Sequence, residues 1–173
     1  MLERTEVAIL LLGEEGIDVN IVARGGETAL HEAARHNKTS NCLAMLLARP
    51  DLTTSVNQKD WGGETPLLLA VSRNAIVCVQ LLISDKRVDP NIKSDRTGNS
   101  PLMLAVKGNR VACVELLISD CFDPNIKCDD GNSPLMLAVK MNNVDLVELL
   151  LADPRVDLMT RDNYQRSGEE VAR

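Results

Sequence analysis

The sequence predicts an all-α solenoid of stacked helix-turn-helix units joined by β-hairpin-like loops. Three observations predict it. One block recurs four times, as GETALHEAA at 26–34, GETPLLLAV at 63–71 and GNSPLMLAV at 98–106 and 131–139, with starts 37, 35 and 33 residues apart. A period in the thirties marks a stack of small supersecondary units, not one globule with a central core. Each block also carries helix-start signals followed by apolar residues at helical spacing. Finally, aromatic residues are only 2% of the chain, which suits short helices packed by Leu, Val and Ala.

The first helix of each unit starts at Thr28, Thr65, Ser100 or Ser133. A hydroxyl there can accept the unpaired amides of the first turn. Pro66, Pro101 and Pro134 follow at the first helical position, where a missing N–H costs nothing. Leu30 and Ala33, Leu67 and Ala70, Leu102 and Ala105, and Leu135 and Ala138 are i, i+3 pairs on one face. Asn37, Asn74, Asn109 and Asn142 then stop the helix, since Asn tolerates the left-handed conformation.

A second helix follows, with Cys42, Met45 and Leu46 in the first unit matching Cys78, Leu81 and Leu82 in the second. Cys113, Leu116 and Leu117 fill the same places, as do Leu146, Leu149 and Leu150, while Val7, Leu10 and Leu11 repeat the pattern near the start. A polar stretch with DVN, SVN or DPN leads back to the next Gly through turn-forming residues. It is expected to project as a hairpin-like loop with little strand content.

T-P-L-x-x-A, a turn, a second helix ending in Leu-Leu and then D-x-N before the next Gly resemble the ankyrin repeat family. The resemblance runs from about Val7 to about Ala172. It implies a partial repeat at 1–24, repeats at about 25–60, 61–95, 96–128 and 129–161, and a partial capping repeat at 162–173, all in a single domain spanning 1–173. The departures are specific. The family's His after the Leu survives only as His31, with Leu68, Met103 and Met136 in its place elsewhere. The inter-helix Gly is Asn throughout, extra residues fall around 49–55, 85–87 and 95–97, and Met159 stands where Asn is expected. The incomplete ends fit either caps or a piece of a longer array.

Composition narrows the function. The net charge of −6 argues against a generic nucleic-acid coat. Cys42, Cys78 and Cys113 recur at one core position and read as small buried hydrophobes; Cys121 and Cys128 flank a loop. No CxxC pair exists, which disfavours zinc, and such cysteines suit the reducing cytosol or nucleus. The apolar run at 7–12 is too short for a signal peptide core or a membrane span.

Catalytic signals are absent. HEAARH at 31–36 superficially resembles a zinc-protease motif, but that motif needs its histidines at i, i+4. His31 and His36 are five apart, about 140° around a helix. The resemblance instead makes His31 a structural residue that hydrogen-bonds neighbouring loops. Gly25-Gly26 and Gly62-Gly63 belong to the repeat's own turn, so no phosphate loop is read there. No metal and no cofactor are expected, and the chain is not expected to be an enzyme.

The resemblance implies a protein–protein interaction module that binds through loop tips and the adjoining face of the first helices, which together form a concave groove. The repeat frame puts a cation at the end of each first helix, in the pairs Arg35 and His36, Ser72 and Arg73, Lys107 and Gly108, and Lys140 and Met141. Stacked in register, these would form a basic ladder. Arg24, Lys59, Lys93, Lys127 and Arg161 repeat the theme in the loops, Arg96 adds to the longest tip, and Trp61 and Tyr164 project from two others.

Much of the acid lies on the second helices and their far loops, at Glu6, Glu14, Glu15, Asp85, Glu115, Asp120, Asp145, Glu148 and Asp153. A net acidic protein could so present a locally basic groove to an acidic or mixed protein segment. The bland alternative is that cations at helix ends only offset the helix dipole, with Glu27, Asp60, Glu64, Asp95, Asp129 and Asp130 neutralising the ladder. Two other functions stay open: an architectural spacer in a larger protein, and nucleic-acid association, for which only Trp61 and Tyr164 could stack on bases. No membrane partner is expected, and the chain is read as a monomer or part of a larger chain. The resemblance also marks the loop residues Asn20, Asn57, Asn91 and Asn125 as candidates for asparaginyl hydroxylation.

Overall fold

The computed structural model describes residues 16–52, 56–118, 122–164 and 166–167. The expected leading helix around Val7, Leu10 and Leu11 lies outside them, as do Glu6, Glu14, Glu15, Asp120, Cys121 and most of the expected last first-helix at 168–173. Among the described residues the secondary structure is helical, with an isolated antiparallel bridge between Arg161 and Ser167. The chain divides into two compact units, Met1–Asp89 and Pro90–Arg173.

In the first unit, α1 (Ala29–Ala34) and α2 (Ser40–Leu47) form one pair, and α3 (Pro66–Ser72) and α4 (Ile76–Ser84) form the next. First helix packs on first helix and second on second, α1 with α3 and α2 with α4. Leu30, Leu43, Leu46, Leu67, Leu68 and Leu82 fill the space between and are fully buried. Burying such a side chain contributes about 1.5–3 kcal/mol before entropy is counted.

The second unit repeats the scheme with α5 (Pro101–Lys107), α6 (Val111–Leu117), α7 (Pro134–Lys140) and α8 (Val144–Leu151). Its core includes Leu102, Met103, Leu117, Met136 and Leu146. Met103 and Met136 occupy the place that His31 holds in α1, and both are buried.

The helix-start signals act as their chemistry dictates. The hydroxyls of Thr65, Ser100 and Ser133 accept the backbone N–H of Leu68, Met103 and Met136, each with Pro as the next residue. The stop signals act in three of four units: Asn74, Asn109 and Asn142 have φ of 55°, 50° and 53°. Asn37 does not. The first unit has five residues from Asn37 to Cys42, where the second has four from Asn74 to Cys78. That extra residue is taken up by a 3-10 turn at Asn37–Thr39. The Asn37 side chain finds another use, its Oδ1 accepting the Val77 N–H at 3.0 Å.

Each hairpin-like loop has an equivalent backbone bond across its tip: Ala23 N–H to Glu27 O, Asp60 to Glu64, Ser94 to Asn99, Cys128 to Asn132 and Asp162 to Arg166. The Ser94 tip is one residue longer, which absorbs part of the insertion around 95–97. These bonds set matching stations on successive loops, so equivalent residues can be compared directly.

Candidate functional site

The loop asparagines tie each loop to the next. Asn57 Nδ2 donates to Arg87 O at 2.8 Å, and Asn57 Oδ1 accepts the Asp89 N–H at 2.9 Å. Asn125 makes the same two bonds to Arg155 O and Asp157 N–H. Asn20 Nδ2 donates to Asp51 O, and Asn91 Oδ1 accepts from Asp123 N–H. An amide side chain is the one neutral group that offers a donor and an acceptor on the same carbon, which is what two neighbouring backbone groups require.

The loop cations do related work in the second unit. Lys93 Nζ donates to Lys127 O at 3.0 Å, and Lys127 Nζ to Arg161 O at 2.8 Å. Lys59 is half-buried, and Arg24, Arg96 and Arg161 are exposed.

The cations closing the first helices differ from one another. Arg35 is engaged by Glu27 and by Glu32 at 3.1 Å. Lys140 donates to Asn132 Oδ1 and faces Asp162 at 3.7 Å. Arg73 and Lys107 are exposed, as are His36 and Met141. Trp61 is 79% exposed, with its backbone N–H fixed by Gly25 O at 2.7 Å. A side chain at Gly26 would put its Cβ 2.9 Å from the Trp61 nitrogen, so glycine lets the two tips close on each other. Tyr164 is 78% exposed, and the Arg166 guanidinium lies over its ring at 5.1 Å.

His31 is fully buried. The Thr28 backbone N–H donates to Nδ1 at 3.0 Å, which leaves the ring proton on Nε2 to donate to Glu64 O at 3.1 Å. Burial lowers its pKa below 6.5, although Glu64 O and the nearby carboxylates of Asp60 and Glu27 pull the other way. Both ring nitrogens are used inside the fold. Among the described residues, no group of three or more His, Cys, Asp or Glu could hold a metal ion.

Three Asp–Arg pairs stand outside the residues expected from sequence. Arg87 is clamped by Asp85 at 2.6 Å and donates to Leu52 O at 2.9 Å and Leu47 O at 2.5 Å, capping the end of α2. Arg155, held by Asp153, donates to Phe122 O, and Arg49, held by Asp51, donates to Ile17 O. The Arg87 and Arg155 guanidinium groups hold Asp85 and Asp153 below the usual carboxylate range. The visible signal was D-x-R after the second helix at 85–87 and 153–155, with the reversed R-x-D at 49–51. It makes part of the acid at the far loops internally neutralised.

The family profile described as ankyrin repeats (3 copies) matches residues 2–94 and 77–162. The chain belongs to the ankyrin repeat family. Ankyrin repeats are generally protein–protein interaction modules, and their fold is known as an interaction scaffold. The crystal structure of the ankyrin repeat domain of Bcl-3, described as a unique member of the IkappaB protein family, is similar to this chain. It aligns with a TM-score of 0.86 at 29% identity, over 98% of this chain and 72% of that one. No curated protein sequence matches. The ankyrin frame accounts for His31, the caps and the Asn bridges. No helix among the described residues is long and apolar enough to cross a membrane.

Proposed function

We propose that this ankyrin chain captures an acidic or mixed segment of a partner protein through its loop tips and the ends of its first helices. The observation that carries the reading is selective engagement of its cations. Arg35 and Lys140 are engaged by acceptors of their own unit, and Lys93 and Lys127 tie loops together. Arg24 and Arg73 in the first unit, and Arg96 and Lys107 in the second, are exposed, and among the described residues no ion pair engages them. Trp61 adds a large exposed ring, of a residue type common at binding hot spots, at a tip whose backbone is hydrogen-bonded to the preceding one. The positive charge steers encounter and the ring supplies buried area.

A random-peptide display library selected against the whole chain tests this. Enriched peptides should bind the wild type and lose affinity at least about tenfold for the Trp61→Ala, Arg73→Glu double variant, the size of one good interface contact. Melting should hardly change. No enriched peptide, or binders indifferent to both changes, overturns the reading.

Placement in the cytosol or nucleus belongs to the same proposal, supported by the buried thiols of Cys42, Cys78, Cys113 and Cys128. So does single-domain behaviour, for which one unfolding transition seen by both calorimetry and circular dichroism is expected. Hydroxylation at Asn20, Asn57, Asn91 and Asn125 remains a proposal from family resemblance. Each side chain would first have to leave its bonds to the next loop, so on incubation with an asparaginyl hydroxylase the intact mass should gain oxygen faster once mild denaturant loosens the loops.

A further inference from the structure

Two corners of the second unit share one sequence, GNSPLMLAVK at 98–107 and 131–140, and yet their polar side chains behave differently. At the later corner, Lys140 Nζ donates to Asn132 Oδ1 and faces the buried Asp162 carboxylate. At the earlier one, Asn99 is 2% exposed and its Oδ1 is buried without a hydrogen-bond partner; Lys107, exposed as Lys140 also is, makes no bond to it. A buried amide oxygen with no donor is costly, and a native fold rarely leaves one.

One difference between the corners lies outside the repeated block. Cys128 and Asp162 occupy the same station on successive hairpins, each donating its N–H across its own tip, to Asn132 O and Arg166 O. The hairpin after Lys140 therefore offers a carboxylate. At that station the hairpin after Lys107 offers Cys128, whose thiol carries no comparable attraction for an ammonium. The same Asn–Lys pair is complete where an acid follows and incomplete where a cysteine does.

We propose that Asn99 and Lys107 form a receptor corner for one Asp or Glu side chain of a partner protein. This rests on the interaction reading above and adds to it the chemistry and address of one contact. An ammonium has three donors. In the proposed complex one goes to Asn99 Oδ1, which orients Lys107 as Asn132 orients Lys140, and the others meet the incoming carboxylate from the solvent side. Asp129, whose carboxylate lies against Gly98, bears on the same corner and acts as its internal competitor.

The test uses peptides enriched from the random library on the whole chain. Each is synthesised with every Asp and Glu changed in turn to Asn or Gln. One such change should weaken binding to the wild type by about tenfold, as expected for a charge-assisted contact, and should have no effect on Lys107→Met. Cys128→Asp, which supplies the missing carboxylate internally, should remove the same dependence, and Asn99→Ala should reduce it. Melting curves show that each variant is folded, and Lys107→Met alone suffices if Cys128→Asp is not. Enriched peptides whose acidic residues do not couple to Lys107 overturn this inference and leave the interaction reading standing. No enriched peptide overturns both.

Discussion

His31 Nε2 lies 3.1 Å from the backbone oxygen of Glu64, 33 residues along the chain. Because Nδ1 is occupied by the Thr28 N–H, only the neutral ring with its proton on Nε2 makes both bonds. One histidine so joins the start of α1 to the following hairpin, and its protonation state becomes a stability term.

Acid should weaken the first unit through this residue. The folded pKa of His31 is lowered from 6.5, chiefly by burial. The unfolded chain then binds the proton more tightly. The contribution is fully present above about pH 6.5 and is lost as pH falls from there through the folded pKa. Urea unfolding followed by circular dichroism across that window should show falling stability for the wild type. His31→Gln should lose about 1–3 kcal/mol at pH 7.5 and show a flatter pH profile. An equally steep profile in the variant would assign the dependence elsewhere.

Asn57 provides a graded test of the loop bridges. Asn57→Ala removes both the bond to Arg87 O and the one from Asp89 N–H, and should cost about 1–2 kcal/mol. Asn57→Asp keeps the acceptor but sets a carboxylate against a carbonyl, so its loss should depend on pH and shrink in acid. Chemical denaturation at pH 4 and pH 7.5 separates the two. Equal losses at both values would mean that Asn57 acts only by filling space.

The architecture was legible because the framework residues repeat. Caps at Thr65, Ser100 and Ser133, left-handed Asn74, Asn109 and Asn142, and buried Leu and Cys all follow from local chemistry at a fixed period. Asn37 departed because one additional residue changed the local turn, which an alignment on Asn alone does not weigh. The charges were less legible. The repeat assigns Lys107 and Lys140 one role, and the residue that separates them, Cys128 against Asp162, lies on a hairpin more than twenty positions later. The roles of Arg87 and Arg155 were similarly hidden, since a D-x-R pair reads as a surface ion pair until its guanidinium is seen on a carbonyl of the preceding loop.

Arg87→Ala should uncap α2 and release Asp85. Arg87 is 38% exposed, so solvent screening keeps the charge part small and the total loss near about 1 kcal/mol. The Asp85 carboxyl is held below its usual 3.8 by the Arg87 guanidinium. That contribution is present above pH 3.8 and is lost as pH falls through the lower folded value. Acid titration should therefore narrow the gap between wild type and Arg87→Ala below pH 3.8. A gap that stays constant would mean that the guanidinium acts through Leu47 O and Leu52 O alone.

Cys78 reports on whether the first unit opens. Its Sγ is fully buried and donates to His36 O at 3.4 Å, and burial pushes the thiol up to about 11. The thiolate is the reactive form, so at pH 8 only about one Cys78 in a thousand would be poised to react even if a reagent could reach it. Maleimide labelling read by peptide mass should leave Cys78 unmodified in the folded protein. Labelling should rise with urea in parallel with the loss of helical signal. His31→Gln should shift that rise to lower urea, because the bond it removes ties α1 to the hairpin leading into α3. Cys78 labelling that precedes the helical transition would instead show α4 opening by itself.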